Sequence, residues 1–489
     1  MRTLLLPSIL VASFAACAAP REVEPAGAPA RPNLVVIYAD DMGYGDCGAL
    51  NPDARFATPH LDRLAGESMV FLDAHSTGSV CTPSRYGLLT GQYAWRTGRG
   101  GVVGADADAL IAADRVTLPR LLQDVGYRTA VIGKWHLGMQ IPGTKGDRDW
   151  SVPVLDGPTS RGFDVFYGIP ASMNFGVLTW YDGDRATAPA SKWTRKKFPP
   201  SEIETGPKAY RMAPPYDDER QGKGDVEVAP GFVDEEALGI IADKAEEFLA
   251  AHAADSPGEP FFLYVPLTSP HLPHCAAEEF RGTSAMGAYG DFMRETDHRV
   301  GQVLVALEQH GLAENTIVVF SSDNGPERNY SDWERRYGHR CAGPFRGGKR
   351  DLYEGGHRVP FFVRWPGVVA PGSTCDEPVS QADLLATLAD VLDVELPRDS
   401  GEDSFSLVPA LRGDALDAPL RGPIVHHGGG KKYALRDGRW KLILAPRLEL
   451  YDLDADPGET TDLAEQRPEV VERLRRAAER LMEGDRSRD

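Results

Sequence analysis

Four short, continuous apolar runs, each ending in polar residues, constrain this chain more than anything else in it. Leu34-Val35-Val36-Ile37-Tyr38-Ala39 runs into Asp40-Asp41, and Thr316-Ile317-Val318-Val319-Phe320 runs towards Asp323-Asn324-Gly325. Residues 127–132 lead into Gly133-Lys134-Trp135-His136, and Phe261-Phe262-Leu263-Tyr264-Val265 precedes Ser269-Pro270-His271. Runs without polar alternation suit strands buried on both faces. Their alternation with longer amphipathic segments predicts βαβ units and a mostly parallel sheet flanked by helices. In such a sheet ligands bind beyond the carboxyl ends of the strands, so acids, an amide, a lysine and histidines would meet at one edge. One aspartate after a strand is ordinarily a cap or turn former, and one histidine a structural residue. Four repeats of the arrangement favour a site.

Asp40, Asp41, Asp323 and Asn324 offer only oxygen ligands, which points to a hard cation, Ca²⁺ ahead of Mg²⁺, rather than Zn²⁺. Three clustered carboxylates without a cation would repel one another and be driven to protonate. Cys81-Thr82-Pro83-Ser84-Arg85 places a cysteine at a predicted helix start, since Pro suits a first turn. On that ground alone Cys81 reads as a thiol of lowered pKa, or as a small buried residue.

Cys81-x-Pro83-Ser84-Arg85 followed by Leu89-Thr90-Gly91 resembles the signature of type I sulfatases, whose cysteine is oxidised to Cα-formylglycine before folding. Asp40-Asp41, Gly133-Lys134-Trp135-His136-Leu137-Gly138, the His271 segment, Asp323-Asn324-Gly325, and Gly347-Gly348-Lys349 with Leu352-Tyr353-Glu354-Gly355-Gly356 follow in the family's order. The chain is most similar to the arylsulfatase A and N-acetylgalactosamine-6-sulfatase group. The resemblance implies an alkaline-phosphatase-like α/β sandwich with a small C-terminal α+β domain. It also implies a formylglycine gem-diol at position 81 that attacks the sulfate sulfur, with Asp323 as base and residue 81 joining the metal ligands. Lys134 and Lys349 would hold the sulfuryl oxygens, and Arg85 would orient the diol. His271 would protonate the departing alcohol, and His136 would deprotonate the second hydroxyl so that sulfate leaves. Ser172 resembles a sulfate-contacting serine. His274 competes with His271, although His271-Leu272-Pro273 fits the family pattern better. The implied partners are a sulfated glycan or other sulfate ester, and a formylglycine-generating or anaerobic sulfatase-maturing enzyme.

Arg2, the apolar run 4–16 and Cys17 form the pattern of a secretory signal, too short to span a bilayer. Phe14-Ala15-Ala16-Cys17 resembles a bacterial lipobox, so Cys17 is either a lipid anchor point or removed with an ordinary signal. Either way the expected location is outside the cytoplasm: periplasm, outer membrane or cell surface, or secreted. The boundaries expected are a signal at 1–17, a tether at 18–32, a catalytic domain at 33–400 and a C-terminal subdomain at 401–489. That last region carries a hairpin with an Asp437-Gly438 turn and a terminal helix over 468–482.

Residues 142–231 read as variable substrate loops, in which Trp180-Tyr181 and the basic stretch 192–197 could line a sugar subsite. Basic residues from Arg335 to Arg350 surround Lys349, with His339 and His357 nearby as further substrate contacts; His426-His427 receives no role. Lys plus Arg number 53 against 72 Asp plus Glu, a net charge of −19, which excludes a nucleic-acid surface. Cys47, Cys275, Cys341 and Cys375 allow up to two disulfides. Two other readings stay open: a phosphonate or phosphodiester hydrolase sharing the cysteine motif, and a silent glycan-binding protein whose Cys81 remains a thiol.

Overall fold

The computed structural model describes residues 31–195, 212–327 and 330–488. The signal, Cys17, nearly all of the tether, and Lys196-Lys197 lie outside the described residues. The large sheet is built from β1 (Asn33–Asp40), β2 (Met69–Phe71), β3 (Arg128–Lys134), β4 (Val165–Ile169), β5 (Tyr181–Asp182), β6 (Arg185–Ala186), β7 (Phe261–Pro270), β8 (Thr316–Ser322), β9 (Phe361–Arg364) and β10 (Ser373–Cys375). Its ten strands run in the order β6-β5-β4-β3-β7-β1-β8-β9-β2-β10. The central block β4-β3-β7-β1-β8 is parallel. Antiparallel pairings of β5 with β4, and of β9 with β8 and β2, make the sheet mixed towards its edges.

The four apolar runs are the core of that parallel block, and the pleat explains their composition. Val35, Ile37 and Ala39 of β1 enter one apolar cluster together with Leu238, Ile241, Phe292 and Val300. Those partners come from helices α2 (Ala237–Asp255) and α3 (Gly287–Gln309). Leu34, Val36 and Tyr38 enter the opposite cluster with Leu88 and Leu89 of helix α1 (Cys81–Thr90). Both faces of the strand are dry, so neither parity of residue can be polar, and each such side chain contributes about 1.5–3 kcal/mol of burial.

The C-terminal region forms a separate antiparallel sheet of β11 (Ile424–His427), β12 (Tyr433–Asp437), β13 (Trp440–Ile443) and β14 (Glu449–Asp452), covered by helix α4 (Pro468–Glu483). Gly438 supplies the left-handed conformation (φ 56°) that the Asp437-Gly438 turn requires. Tyr93 of the large body packs inside the small sheet's core with Leu435, Leu442 and Leu474. A buried Arg421–Asp383 ion pair, 2.7 Å long, joins the two parts. The arrangement is the α/β sandwich with a small C-terminal α+β unit expected from the sequence. Among the described residues no helix is long and apolar enough to cross a membrane.

Candidate active site

Each parallel strand delivers its polar residues to the carboxyl edge of the sheet. β1 has a register irregularity against β7 between Tyr38 and Asp40, and Asp41 follows in the left-handed region (φ 67°). His136, two residues beyond the end of β3, is also left-handed (φ 58°). Such conformations in non-glycine residues are costly and gather at functional sites. Gly133 admits no side chain, because a Cβ there would lie 2.1 Å from the Pro266 carbonyl oxygen on the neighbouring strand. Cys81 is the first residue of α1, whose far end is closed by Gly91 in the left-handed conformation.

The structure brings Asp40, Asp41, Cys81, Arg85, Lys134, His136, His271, Asp323, Asn324 and Lys349 together, all of them buried. Cys81 Sγ lies 3.4 Å from Asp40 Oδ1 and 4.0 Å from Asp41 Oδ1. Lys134 Nζ donates to Asp40 Oδ2 at 2.5 Å, and Lys349 Nζ grips both oxygens of Asp41 at 2.6 and 2.7 Å. Arg85 donates to Asp323 Oδ2 through Nε (3.1 Å) and Nη2 (2.8 Å), and its Nη2 lies 3.6 Å from Asp40 Oδ1. His271 Nε2 is 3.7 Å from Asp41 Oδ2.

Two expectations drawn from the sequence change here. The three carboxylates are not left to repel one another, because Arg85, Lys134 and Lys349 match them one for one. Although burial disfavours its charge, Asp40 is held at about 2 by Lys134, His271 and Arg85. Asp323 is shifted the other way, raised by burial and by Asp40. Nor is Cys81 a thiol of low pKa. Burial, reinforced by Asp323 and Asp40, pushes it well above the ordinary thiol value despite its helix N-terminus and two neighbouring lysines. Left unmodified it is a neutral thiol, a weak nucleophile.

Several buried polar atoms around this cluster have no hydrogen-bond partner: Nδ1 and Nε2 of His136, Oδ1 of Asn324 and Oγ of Ser172. The His136 ring packs T-shaped against Phe175, whose N–H donates to the Ser172 carbonyl. Asp40, Asp41, Cys81 and His271 offer ligand atoms that all lie within 4.8 Å of one another. With Asn324 Oδ1 unsatisfied and carboxylate oxygens predominating, the donor set fits a hard divalent cation. Burial depresses His136 well below, and His271 below, the ordinary imidazole value, with the neighbouring cations adding to the effect.

Other candidates fall elsewhere. His274 sits in an aromatic pocket against Tyr289 and Trp333, and burial together with His271 lowers it to about 3. His339 is buried and bonded to Asp46 at 2.7 Å rather than offered to a substrate. Trp180 and Tyr181 are core residues stacked on Tyr167 and Phe166, so neither is a platform for sugar rings. Arg335, Arg340 and Arg350 face Asp332, Glu334 and Glu327, which offsets the basic stretch around Lys349. Cys47, Cys275, Cys341 and Cys375 are free thiols.

A second buried cluster was missed by the sequence reading. His75 is held between Asp73 (2.7 Å) and His357 (3.0 Å), and Lys441 of β13 reaches His357 (3.1 Å), Glu354 (2.9 Å) and Glu459 (2.8 Å). His426, to which no role was given, stacks on His357 at 3.7 Å. The loop before Cys81 is clamped beside this cluster: Ser76 N–H donates to the His357 carbonyl, and Ser79 N–H to that of His427.

Fold and site together set a buried cysteine among three acid–base pairs and unpartnered histidine, amide and hydroxyl atoms at the carboxyl edge of the sheet. The sulfatase family model matches residues 32–394, and the model described as N-sulphoglucosamine sulphohydrolase, C-terminal, matches residues 346–484. The chain is 34% identical to an N-acetylgalactosamine-6-O-sulfatase of Bacteroides thetaiotaomicron, over 91% of this chain and 92% of that protein. It is 35% identical to the steryl-sulfatase of Mus musculus, over 84% and 70% respectively. A solved structure from work on glycosaminoglycan metabolism by Bacteroides thetaiotaomicron superposes with a TM-score of 0.81 at 32% identity, covering 93% of this chain and all of that one. The chain belongs to the sulfatase family and is a sulfuric ester hydrolase.

Proposed function

We propose that the chain hydrolyses a sulfate ester on a carbohydrate, a 6-O-sulfated N-acetylhexosamine being the best-supported substrate, with Cys81 converted to Cα-formylglycine. The carrying observation is the position of Cys81: sealed at a helix start, within 4.0 Å of two carboxylates and ringed by Arg85, Lys134 and Lys349. The 6-O-sulfated amino sugar is supported by the relative in Bacteroides thetaiotaomicron, an N-acetylgalactosamine-6-O-sulfatase.

The hydrated aldehyde supplies a nucleophilic hydroxyl and, in the second hydroxyl, a way to release the sulfated enzyme that a single sulfur or oxygen nucleophile lacks. Asp40, Asp41, Asp323, Asn324 and residue 81 would hold Ca²⁺, whose Lewis acidity would favour both the nucleophile and the sulfuryl charge. The charge balance supports this reading: three acids already face three bases, so a divalent cation and a doubly charged sulfate product add no net charge. Lys134 and Lys349 turn from their carboxylates to the sulfuryl oxygens. Arg85 orients residue 81 and restrains Asp323, whose raised pKa suits proton acceptance. His271 gives its proton to the departing alcohol oxygen, and His136 takes the proton of the second hydroxyl. Ser172, whose buried hydroxyl has no hydrogen-bond partner, would contact the sulfate, whereas His274, enclosed by Tyr289 and Trp333, takes no part. Maturation by a formylglycine-generating or anaerobic sulfatase-maturing enzyme, and export with either lipid anchoring at Cys17 or release, complete the proposal.

The test is turnover of 4-nitrophenyl sulfate against an aryl phosphonate, and of N-acetylgalactosamine 6-sulfate against its 4-sulfate isomer. Preference for aryl sulfate and for the 6-sulfate is expected. Preference for the phosphonate would overturn the assignment.

A further inference from the structure

We infer that Phe175 is a positioning residue for His136: its ring, in place of a hydrogen bond, aims the imidazole that takes a proton in the sulfate-releasing step. The inference rests on the role given to His136 above. In that step the proton of the second hydroxyl passes to a His136 nitrogen, and the electron pair left behind forms the C=O bond. The C–O bond to sulfate breaks, its pair leaving on the sulfate.

A histidine that moves a proton is ordinarily tethered through its other ring nitrogen, which donates to a carbonyl or carboxylate and fixes tautomer and orientation. His136 has no such tether: neither Nδ1 nor Nε2 has a hydrogen-bond partner, although the residue is fully buried. Its main chain, by contrast, is fixed on both sides. The N–H donates to the Pro170 carbonyl at 3.0 Å, and the carbonyl accepts from Oγ1 of Thr82, the residue after Cys81, at 3.0 Å. Together with the left-handed φ of 58° these bonds set where Cβ points. Rotation about the side-chain bonds is left to packing.

Phe175 supplies that packing. The two rings meet T-shaped, with centroids 4.8 Å apart and planes at 71°, which is the geometry of a favourable aromatic pair. Phe175 is itself placed by main chain: its N–H donates to the Ser172 carbonyl at 2.9 Å, and the carbonyl of the next residue, Gly176, accepts from Glu227 N–H at 3.0 Å. The Phe175 side chain is half-buried and also packs against the apolar cluster that contains Ala105 and Leu137. A ring held in this way can orient the imidazole while leaving both of its nitrogens free, which a hydrogen-bonded tether cannot do.

The test follows 4-nitrophenyl sulfate in the mature enzyme. Phe175→Leu keeps an apolar side chain without the ring, Phe175→Tyr keeps the ring, and Phe175→Met replaces the Leu variant should that one melt early. kcat/KM reads the steps up to departure of the alcohol, whereas kcat also includes release of sulfate. Phe175→Leu is therefore expected to lower kcat by about ten- to a hundredfold, the effect of a misplaced catalytic group, with KM falling in proportion. A burst of about one 4-nitrophenol per active site should precede its slow turnover. Phe175→Tyr should stay near the wild type, and in a His136→Ala background the Leu substitution should add no further loss. A second readout needs no turnover: in the Cys81→Ala protein, Phe175→Leu should speed carbethoxylation of His136 by diethyl pyrocarbonate several-fold, read by peptide mass. Unchanged kinetics, equal losses in kcat and kcat/KM, or an unchanged carbethoxylation rate overturns the positioning role while leaving the sulfatase reading intact. A His136→Ala variant without a burst overturns the role given to His136 and this inference with it.

Discussion

The two buried polar clusters use nearly the same residue types and come to opposite ends. Around Cys81 each cation faces a carboxylate, yet both nitrogens of His136, the Asn324 carbonyl oxygen and the Ser172 hydroxyl are left without partners. Around Lys441 the charged groups face one another, His75 between Asp73 and His357 and Lys441 between two glutamates, while both ring nitrogens of His426 have no hydrogen-bond partner. A buried polar atom without a partner costs about 1–3 kcal/mol. In the first cluster the unpartnered atoms surround Cys81 and its carboxylates, where a ligand can relieve the cost; in the second, both nitrogens of His426 carry the same cost inside the joint between the large body and the C-terminal sheet. Buried charge and unpaired atoms are therefore each a poor sign of function alone, and the discriminating feature is the cysteine at a helix start on which they converge.

Substitution of Cys81 should separate the clusters most sharply. Cys81→Ala is expected to abolish turnover of 4-nitrophenyl sulfate while thermal melting stays near that of the parent, since the thiol makes only long contacts to Asp40 and Asp41. Residual activity near the parental level would remove residue 81 from the chemistry. Next come the two lysines. Lys349→Ala should lower kcat/KM by about 10²–10³, the usual loss when a donor to developing charge is removed. Lys441→Met should instead lower stability by about 3–5 kcal/mol, because it leaves Glu459 buried without its cation and Glu354 with Arg358 alone. The kcat of the folded fraction should be retained. Denaturation together with steady-state kinetics reads both effects, and a loss of kcat without loss of stability in Lys441→Met would contradict the contrast.

The smallest effect is in pH. Burial holds His357 and His426 well below their ordinary value, the charge of Lys441 adding to it. The unfolded chain binds protons to them first, so stability is fully present above about pH 6.5 and falls as the pH drops, by about 1.4 kcal/mol per unit for each histidine. His426→Phe should flatten the slope of melting temperature between pH 6.5 and 5 by about one proton's worth. An unchanged slope would show that His426 is protonated in the folded state.

How much was legible in the sequence follows from the same contrast. Asp40, Asp41, Lys134, His136, His271 and Asp323 could be read because each follows an apolar strand run, and the pleat turns that linear pattern into a shared edge, whereas Cys81, Arg85 and Lys349 were legible only through the resemblance to sulfatase motifs. The pairing of Arg85, Lys134 and Lys349 with three acids was not legible, since ion-pair geometry depends on loops whose conformation no periodicity encodes. The Lys441 cluster draws on five separate segments, at 73–75, 354–357, 426, 441 and 459, none longer than a few residues. Trp180 and Tyr181 were misread because an aromatic pair in an irregular stretch looks the same whether it faces sugar or core. Three-dimensional packing decided for the core.

The central claim, that a sealed and proton-bound thiol at position 81 gives way to an aldehyde, is tested most directly by mass spectrometry of the peptide carrying residue 81. The protein should come from its native host and be labelled with a carbonyl-reactive hydrazide. The account predicts the formylglycine mass and hydrazide labelling at residue 81, in proportion to sulfatase activity. An unmodified cysteine in fully active enzyme would contradict it.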